Sequence, residues 1–244
     1  MGKEAESMTV RIERLANRQP SSLFKFPKER GVVVVFSIAC IMALLLCRTN
    51  PIAMVMSEIV LWSLTLSIHR PRQFLIFSIA GAVMLCFIGS ISLSLWMAVI
   101  FAGKHFLGSH ACKEEMWLKE TLGIAGAISA PLMVSYILTE DLASNLVVAC
   151  VLVAGSITGV VIIRVSHKEM RVNPMPASLI SLCLWVFLAG SCPVLVALAL
   201  VPYLVQGVWL IKTPKPSFKQ LGQAQAASLF FLSILLVFHI FSTL

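Results

Sequence analysis

Charged side chains are scarce in this chain of 244 residues. They make up 12% of the sequence, whereas apolar residues make up 59% and the mean hydropathy is +0.93. A water-soluble domain has about twice that share of charge, because its surface must face water. The composition therefore excludes a soluble globular protein and predicts an integral membrane protein.

Several signatures of chemistry are also missing. The seven cysteines form no CxxC pair and mostly lie within apolar runs, so neither a disulfide framework nor a zinc site is indicated. The sequence has no Ser-His-Asp set, no glycine-rich phosphate loop and no metal-spaced cluster. His239 is the one histidine that we place inside an apolar run, so a haem with two axial histidines is not indicated and the cofactor stays unknown.

The basic residues that are present follow an alternating pattern. Of the 19 Lys and Arg residues, all but Arg48 fall before the first apolar segment or in every second gap between later segments. Positive residues in short loops stay on the cytoplasmic side. The pattern thus predicts a cytoplasmic amino terminus and contacts between the basic residues and lipid head groups. These contacts account for the net charge of +8, so we do not expect a nucleic-acid partner.

The apolar runs predict an all-α fold, a polytopic transmembrane helical bundle of about nine spans with the carboxyl terminus outside. We expect residues 1–30 to form a cytoplasmic segment with an interfacial helix at 8–18, and residues 31–244 to form the transmembrane domain. No cleavable signal peptide is recognisable in the sequence. The predicted spans are 31–47, 52–68, two spans within 74–102 that reverse near residues 89–92, 121–138, 142–163, 177–189, 194–211 and 221–241. The longest internal loop is predicted at 103–120.

Four short motifs together resemble the YwiC-like family of bacterial membrane proteins. They are Pro-Lys-Glu-Arg-Gly at 27–31, Lys-Glu-Thr-Leu-Gly at 119–123, Arg164 with Arg-Val-Asn-Pro at 171–174, and Lys-Gln-Leu-Gly-Gln at 219–223. The first motif departs from the family pattern, since Arg30 stands where His is usual and Val32-Val33 replace Ala-Trp. The resemblance implies a multi-pass protein of the bacterial inner membrane and no particular reaction.

A weaker, topology-level resemblance is to prenyltransferases of the UbiA type, which also have nine spans. Their chemistry requires two Asp-rich motifs that hold Mg²⁺ against a diphosphate. Here the loop after the second span has no acid, and the loop after the sixth span has only Glu169. Glu114, Glu115 and Glu120 cluster in a different loop, so the usual metal ligands are missing.

Two groups of polar residues are candidate binding residues. Glu58 lies about six residues inside the second span, where an unpartnered acid costs on the order of 3 kcal/mol on insertion, so it should face the bundle. It is either a functional acid or a partner in a helix–helix hydrogen bond, and the second use is the commoner one. The other candidates gather at the predicted cytoplasmic rim: Glu29, Arg30, Glu120, Arg164, Arg171, Asn173 and Lys219.

Arg side chains at that rim can clamp a phosphate or carboxylate group through two hydrogen bonds. Topological anchoring explains most of the basic members without any ligand, but it does not explain Glu29, Glu120 or Asn173. The GxxxG spacing of Gly155 and Gly159 predicts close helix packing. Gln206, Gln223 and Gln225 are candidates for polar contacts between helices.

Three functions remain open at this level. The first is a non-catalytic polytopic protein, either an accessory subunit of a larger membrane complex or a binder of a lipid-like or isoprenoid-like molecule. The second is an enzyme acting on a lipid at the cytoplasmic face, with Glu120, Arg164 and Arg171 as polar binding groups. The third is a transporter, for which broken helices are expected and for which Pro131, Pro193 and Pro202 are candidate break points.

Overall fold

The structure is a computed structural model that describes residues 30–48, 50–67, 75–77, 79–81, 83, 116–166, 174–213 and 216–243. Some side chains at helix ends lie outside this description, namely those of residues 30–32, 65–67, 116–120, 218 and 243. The interfacial helix predicted at 8–18 and the reversal predicted at 89–92 also fall outside the described residues.

The described residues form seven helices. Continuous apolar runs favour helices because a helix satisfies its own backbone hydrogen bonds where water is excluded. The helices are α1 (Arg30–Leu46), α2 (Pro51–Ser67), α3 (Met116–Thr139), α4 (Leu142–Ser166), α5 (Met175–Ser191), α6 (Pro193–Lys212) and α7 (Phe218–Thr243). No strand occurs among the residues that the structure describes, so this part of the chain is an all-helical bundle.

Four helices, α3, α4, α6 and α7, are long and apolar enough to cross a membrane, and α1, α2 and α5 are apolar but shorter. These seven helices correspond to seven of the nine predicted spans. The remaining two, within residues 74–102, lie mostly outside the described residues. Their first part is helical at 75–77, 79–81 and 83, and it packs on α2, where a Cβ added at Gly81 would lie 2.5 Å from Val60 Cγ1.

Three predicted loop boundaries are wrong by a few residues, because charged residues continue the helices. The loop predicted at 103–120 overlaps α3, which already begins at Met116 and so includes Lys119 and Glu120. Arg164 lies in the last turn of α4, and Lys219 lies near the start of α7. Lys, Glu and Arg have good helix propensity, so a helix does not end where its apolar run ends, and the candidate span within α3 still begins at Thr121.

The prolines do not break the helices in the way that the transporter hypothesis requires. α3 continues through Pro131 and α6 continues through Pro202. Neighbouring helices allow an interior proline in a transmembrane helix by satisfying the freed backbone groups in other ways. Pro193 is the first residue of α6, a position where the missing backbone N–H costs nothing.

Short connections make four pairs of neighbouring helices antiparallel: α1 with α2, α3 with α4, α5 with α6, and α6 with α7. Glycine contacts show that α4 and α7 are antiparallel as well. A Cβ added at Gly155 would lie 2.7 Å from Leu232 Cδ2, whereas one added at Gly159, further along α4, would overlap Gln225, further back on α7. The GxxxG prediction of close packing is thereby confirmed.

The two ends of the bundle can be identified from these directions. The Arg48 guanidinium lies over the Phe241 ring, so the α1–α2 turn and the end of α7 share one end of the bundle, which we call the Arg48 end. The α3–α4 and α5–α6 turns lie at the same end. The opposite end, here the Lys219 end, holds Arg164, Lys212 and Lys219.

The interior of the bundle is built around α1, α3 and α4, and α1 packs most extensively on α3. Its largest fully buried side chains include Phe36, Met42, Ile128, Leu152 and Leu232. The outer faces of α5, α6 and α7 expose large apolar side chains, with Ile211 at 83% exposure. In a bilayer these faces contact acyl chains, which are as apolar as the side chains themselves.

Candidate functional site

The predicted site residues do not form one cluster. Arg164, which is buried, and Lys219, which is exposed, both lie at the Lys219 end. Glu58 lies in the other half of the bundle, because α2 starts at the Arg48 end and Glu58 is only about 10 Å along it at 1.5 Å per residue. Of the remaining candidates, Arg30 and Glu120 have described backbone only, and Glu29, Arg171 and Asn173 lie outside the described residues.

Glu58 faces the interior, as expected. Its side chain is 8% exposed, and the buried Oε1 atom has no hydrogen-bond partner in the part of the chain that the structure describes. The adjacent Ser57 hydroxyl donates its hydrogen to the Ala53 carbonyl at 2.7 Å, so that hydrogen is not available to the Glu58 carboxylate. The Cys40 thiol lies within electrostatic range. Among the described residues, no group of three His, Cys, Asp or Glu side chains is placed to hold a metal ion.

A groove between α6 and α7 is the first feature with the shape of a binding site. It has a volume of about 320 Å³, within the usual range of about 300–1,000 Å³ for small-molecule sites. Among the described residues, its lining is apolar apart from two polar side chains and contains no charged residue. The lining residues are Val201, Pro202, Val205, Gln206, Trp209, Ala224, Ala227, Ser228 and Phe231.

The polar floor of this groove is a side-chain bridge between the two helices. Gln206 is 7% exposed, and its Nε2 donates to the Ala224 carbonyl at 2.7 Å and to the Ser228 hydroxyl. Ser228 in turn donates to the same Ala224 carbonyl at 3.1 Å. Because a carbonyl oxygen only accepts, the contact with Ala224 fixes which amide atom of Gln206 is the nitrogen. The predicted helix–helix contact of Gln206 is therefore confirmed.

A second polar layer lies at the junction of α4, α6 and α7, where α4 carries two glycines. A Cβ added at Gly155 would lie 2.7 Å from the Tyr203 Oη atom, and the Gln225 amide occupies the corresponding space at Gly159. Tyr203 Oη and Gln225 Oε1 are both buried and have no hydrogen-bond partner among the described residues. The two glycines thus let two polar side chains approach the α4 backbone, about one helical turn apart.

A second groove lies between α1 and α7, with a volume of about 570 Å³. Ser233 is the only polar residue in the described part of its lining, and its hydroxyl donates within α7 to the Leu229 carbonyl at 2.7 Å. The groove therefore offers apolar surface but little hydrogen-bonding specificity. Its lining residues are Val34, Ile38, Ile41, Met42, Ala226, Phe230, Ser233, Ile234, Val237 and Phe238.

A third polar group joins α4 to α5 and has satisfied hydrogen bonds. The Trp185 indole N–H donates to Thr158 Oγ1 at 3.1 Å, and the hydroxyls of Thr158 and Ser181 are 2.7 Å apart. Both hydroxyls also reach the Ala154 carbonyl, at 2.7 and 3.2 Å. With its hydrogen bonds made inside the bundle, this group is a link between helices.

Comparison of the chain with protein-family models, with curated proteins and with solved structures gave no match. Sequence reasoning identified Gln206 as a helix contact but missed the groove that it lines. The sequence signal that could have indicated the groove is the pair Gln206 and Trp209, followed after a short loop by Gln225 and Ser228. That pattern places polar groups on two adjacent helices, but it does not reveal which face each helix presents.

Proposed function

We propose that this protein is a non-catalytic polytopic membrane protein that holds a neutral, lipid-like molecule between its helices. The observation that carries the proposal is the pair of grooves on either side of α7, with volumes of about 320 and 570 Å³ and no charged residue among the described residues that line them. Apolar walls without charge suit an uncharged, largely hydrocarbon ligand, and lipid tails reach such a groove from within the bilayer.

The proposal includes a topology. Nine crossings with the amino terminus in the cytoplasm would place the Lys219 end inside and the Arg48 end outside. Its support is the gathering of Arg164, Lys212 and Lys219 at one end of the bundle, together with the positive-inside rule. The proposal also includes location in a bacterial inner membrane, which the YwiC-like motifs support.

Site-directed labelling tests this topology with two exposed positions. Glu140 lies in the α3–α4 turn and Lys219 lies near the start of α7. In a variant without native cysteines, Glu140→Cys should react with a membrane-impermeant maleimide in intact cells, whereas Lys219→Cys should react only after permeabilisation. Reaction of both positions in intact cells would contradict the proposed topology.

Mass spectrometry of gently extracted protein tests the binding function. We expect a neutral lipid-like molecule to remain bound at about one equivalent after extraction in native polymer nanodiscs. Ala226 lines the α1–α7 groove and Ala227 lines the α6–α7 groove, so Ala226→Phe and Ala227→Phe each fill one groove. The matched control is Ala197→Phe on the exposed face of α6, outside both groove linings.

The retained molecule should fall at least about fivefold in one filled variant and stay unchanged in Ala197→Phe. Retention of bulk phospholipid alone, equal in all four proteins, would refute the proposed function. A stoichiometric protein partner without a retained small molecule would instead favour the accessory-subunit hypothesis.

A further inference from the structure

We propose that the α6–α7 groove is a binding site for a neutral amphiphile whose head is a hydroxylated ring, such as a phenol or a quinol. This inference rests on the proposed function and assigns the ligand class to one of the two grooves. It depends on three features of the groove: one free hydrogen-bond acceptor in its floor, two aromatic residues in its wall, and an otherwise apolar lining.

The free acceptor is the amide oxygen of Gln206. Its Nε2 group uses both hydrogens, on the Ala224 carbonyl and on the Ser228 hydroxyl. Oε1 accepts no hydrogen bond from the described residues, and it is not one of their fully buried unpaired oxygens, so it stays accessible although the residue as a whole is only 7% exposed. An acceptor that faces an apolar environment without a hydrogen-bond partner is unfavourable. A ligand that donates a hydrogen bond removes that cost.

The position of Gln206 excludes the usual donors. It lies six residues before Lys212, the last residue of α6, so it is about 9 Å from the helix end at 1.5 Å per residue. At that depth an acyl chain has no donor. An ammonium head group would bring a charge into a lining whose described residues include no acid. The donor that fits is therefore an uncharged hydroxyl group.

The wall of the groove indicates what carries this hydroxyl. Trp209 and Phe231 line the groove from opposite helices, and aromatic side chains favour stacked or edge-on contact with a flat ring. Val201, Pro202 and Val205 continue the lining along α6, where an aliphatic tail would lie. In such a complex the ring hydroxyl would donate to the Gln206 oxygen, the ring would lie near the aromatic residues, and the tail would lie along α6.

Photolabelling of the full chain in nanodiscs tests this assignment with stable probes. The label is an alkylphenol whose tail carries a diazirine, and the competitors are 4-nonylphenol and its methyl ether, 4-nonylanisole. The two competitors have similar shape, but only the phenol donates a hydrogen bond. We expect the label on peptides that contain Gln206 and Ser228, with at least about fivefold stronger competition by the phenol.

Three variants complete the test. Gln206→Leu removes the acceptor, and Ala227→Phe fills the groove from the exposed side without removing a polar group. Gln223→Leu makes the same chemical change as the first variant at an exposed position outside the groove lining. Phenol-sensitive labelling should be lost in the first two variants and kept in Gln223→Leu.

Each outcome decides the proposal. Equal competition by phenol and methyl ether would overturn it, because the groove would then be an apolar slot without a donor requirement. Labelling that persists in Ala227→Phe, or that maps to the α1–α7 groove, would also overturn it. If the label maps to the α1–α7 groove and the retained molecule is lost in Ala226→Phe, the proposed lipid-binding function is supported although the assignment to the α6–α7 groove is wrong.

Discussion

The Arg48 guanidinium carbon lies 4.8 Å from the centre of the Phe241 ring, which links the α1–α2 turn to the last part of α7. Arg48 is the one basic residue that departs from the alternating charge pattern. Its contact is a cation–π interaction at an exposed site, where such pairs contribute about 0.5–1 kcal/mol. The residue that departs from the topology rule is thus used to connect two distant parts of the chain.

The first prediction concerns this contact. Arg48→Gln and Phe241→Leu should each lower the unfolding free energy, and the double variant should show a coupling of about 0.5–1 kcal/mol. Reversible unfolding in mixed detergent micelles, followed by circular dichroism, measures the cycle. Phe238→Leu, on the same helix and also exposed, should show no coupling to Arg48→Gln. Strict additivity of Arg48→Gln and Phe241→Leu would disprove the contact.

The second prediction concerns the glycines of α4. Gly155→Ala should lower the unfolding free energy by about 1–3 kcal/mol, because the new methyl group meets Tyr203 Oη at 2.7 Å in a packed interior. Tyr203→Phe removes that oxygen and should restore part of the loss. The comparison variant is Gly207→Ala on α6, where nothing lies within 4 Å of the added carbon and helix propensity should raise stability. A larger loss at Gly207 than at Gly155 would contradict this packing.

The third prediction concerns the link between α4 and α5. Thr158→Val removes the acceptor of the Trp185 indole N–H, so we expect a loss of about 1 kcal/mol together with a changed Trp185 environment. Ser233→Ala removes a hydroxyl that bonds only within its own helix and should cost little. Chemical unfolding and near-ultraviolet circular dichroism measure both effects. An equal cost for the two variants would argue against the link.

The fourth prediction separates the two interpretations of Glu58. If the carboxyl group has no structural partner, Glu58→Leu should keep or raise the thermal midpoint, because it removes a buried polar group and retains volume. Differential scanning fluorimetry in detergent measures the midpoint. A clear fall would show that the carboxyl group makes a stabilising contact, and loss of ligand retention at an unchanged midpoint would show a functional role.

The fifth prediction concerns pH and the α3–α4 turn, which lies outside the spans. Asp141 Oδ1 accepts the Ser144 backbone N–H at 3.1 Å, as at a helix amino terminus. The pKa of Asp141 is held below its ordinary value, first by a hydrogen bond from the Ser144 hydroxyl and then by the Ser144 backbone N–H. Because the folded pKa is below the unfolded value of about 3.9, the stabilisation is present above that pH and is lost as pH falls through the folded pKa.

Asp141→Asn should therefore cost stability at pH 7 and should reduce the stability difference between pH 7 and pH 3. Thermal midpoints of the original protein and the variant across that range test the sign. A variant whose disadvantage grows as the solution is acidified would contradict the assignment.

The candidate residues show which properties of the site can be predicted from the sequence. Burial of Glu58 follows from hydropathy alone, since a carboxyl group inside an apolar run must turn away from lipid. The Gln206 contact was predictable as a helix–helix bond, but its partners on α7 were not. Gln223 is exposed although it lies two residues before Gln225, because a two-residue step changes the helix face.

Composition and hydropathy by themselves determined that the chain is helical and apolar enough for a bilayer, and they located seven of its helices. Those properties depend on continuous runs along the chain, which are local. Only the tertiary structure decided that Pro131 and Pro202 leave their helices intact and that grooves lie on both sides of α7. Helix partners and faces are set by side-chain packing between distant residues, such as Gly155 with Tyr203, and these helices are apolar on all sides, so no single face is marked in the sequence.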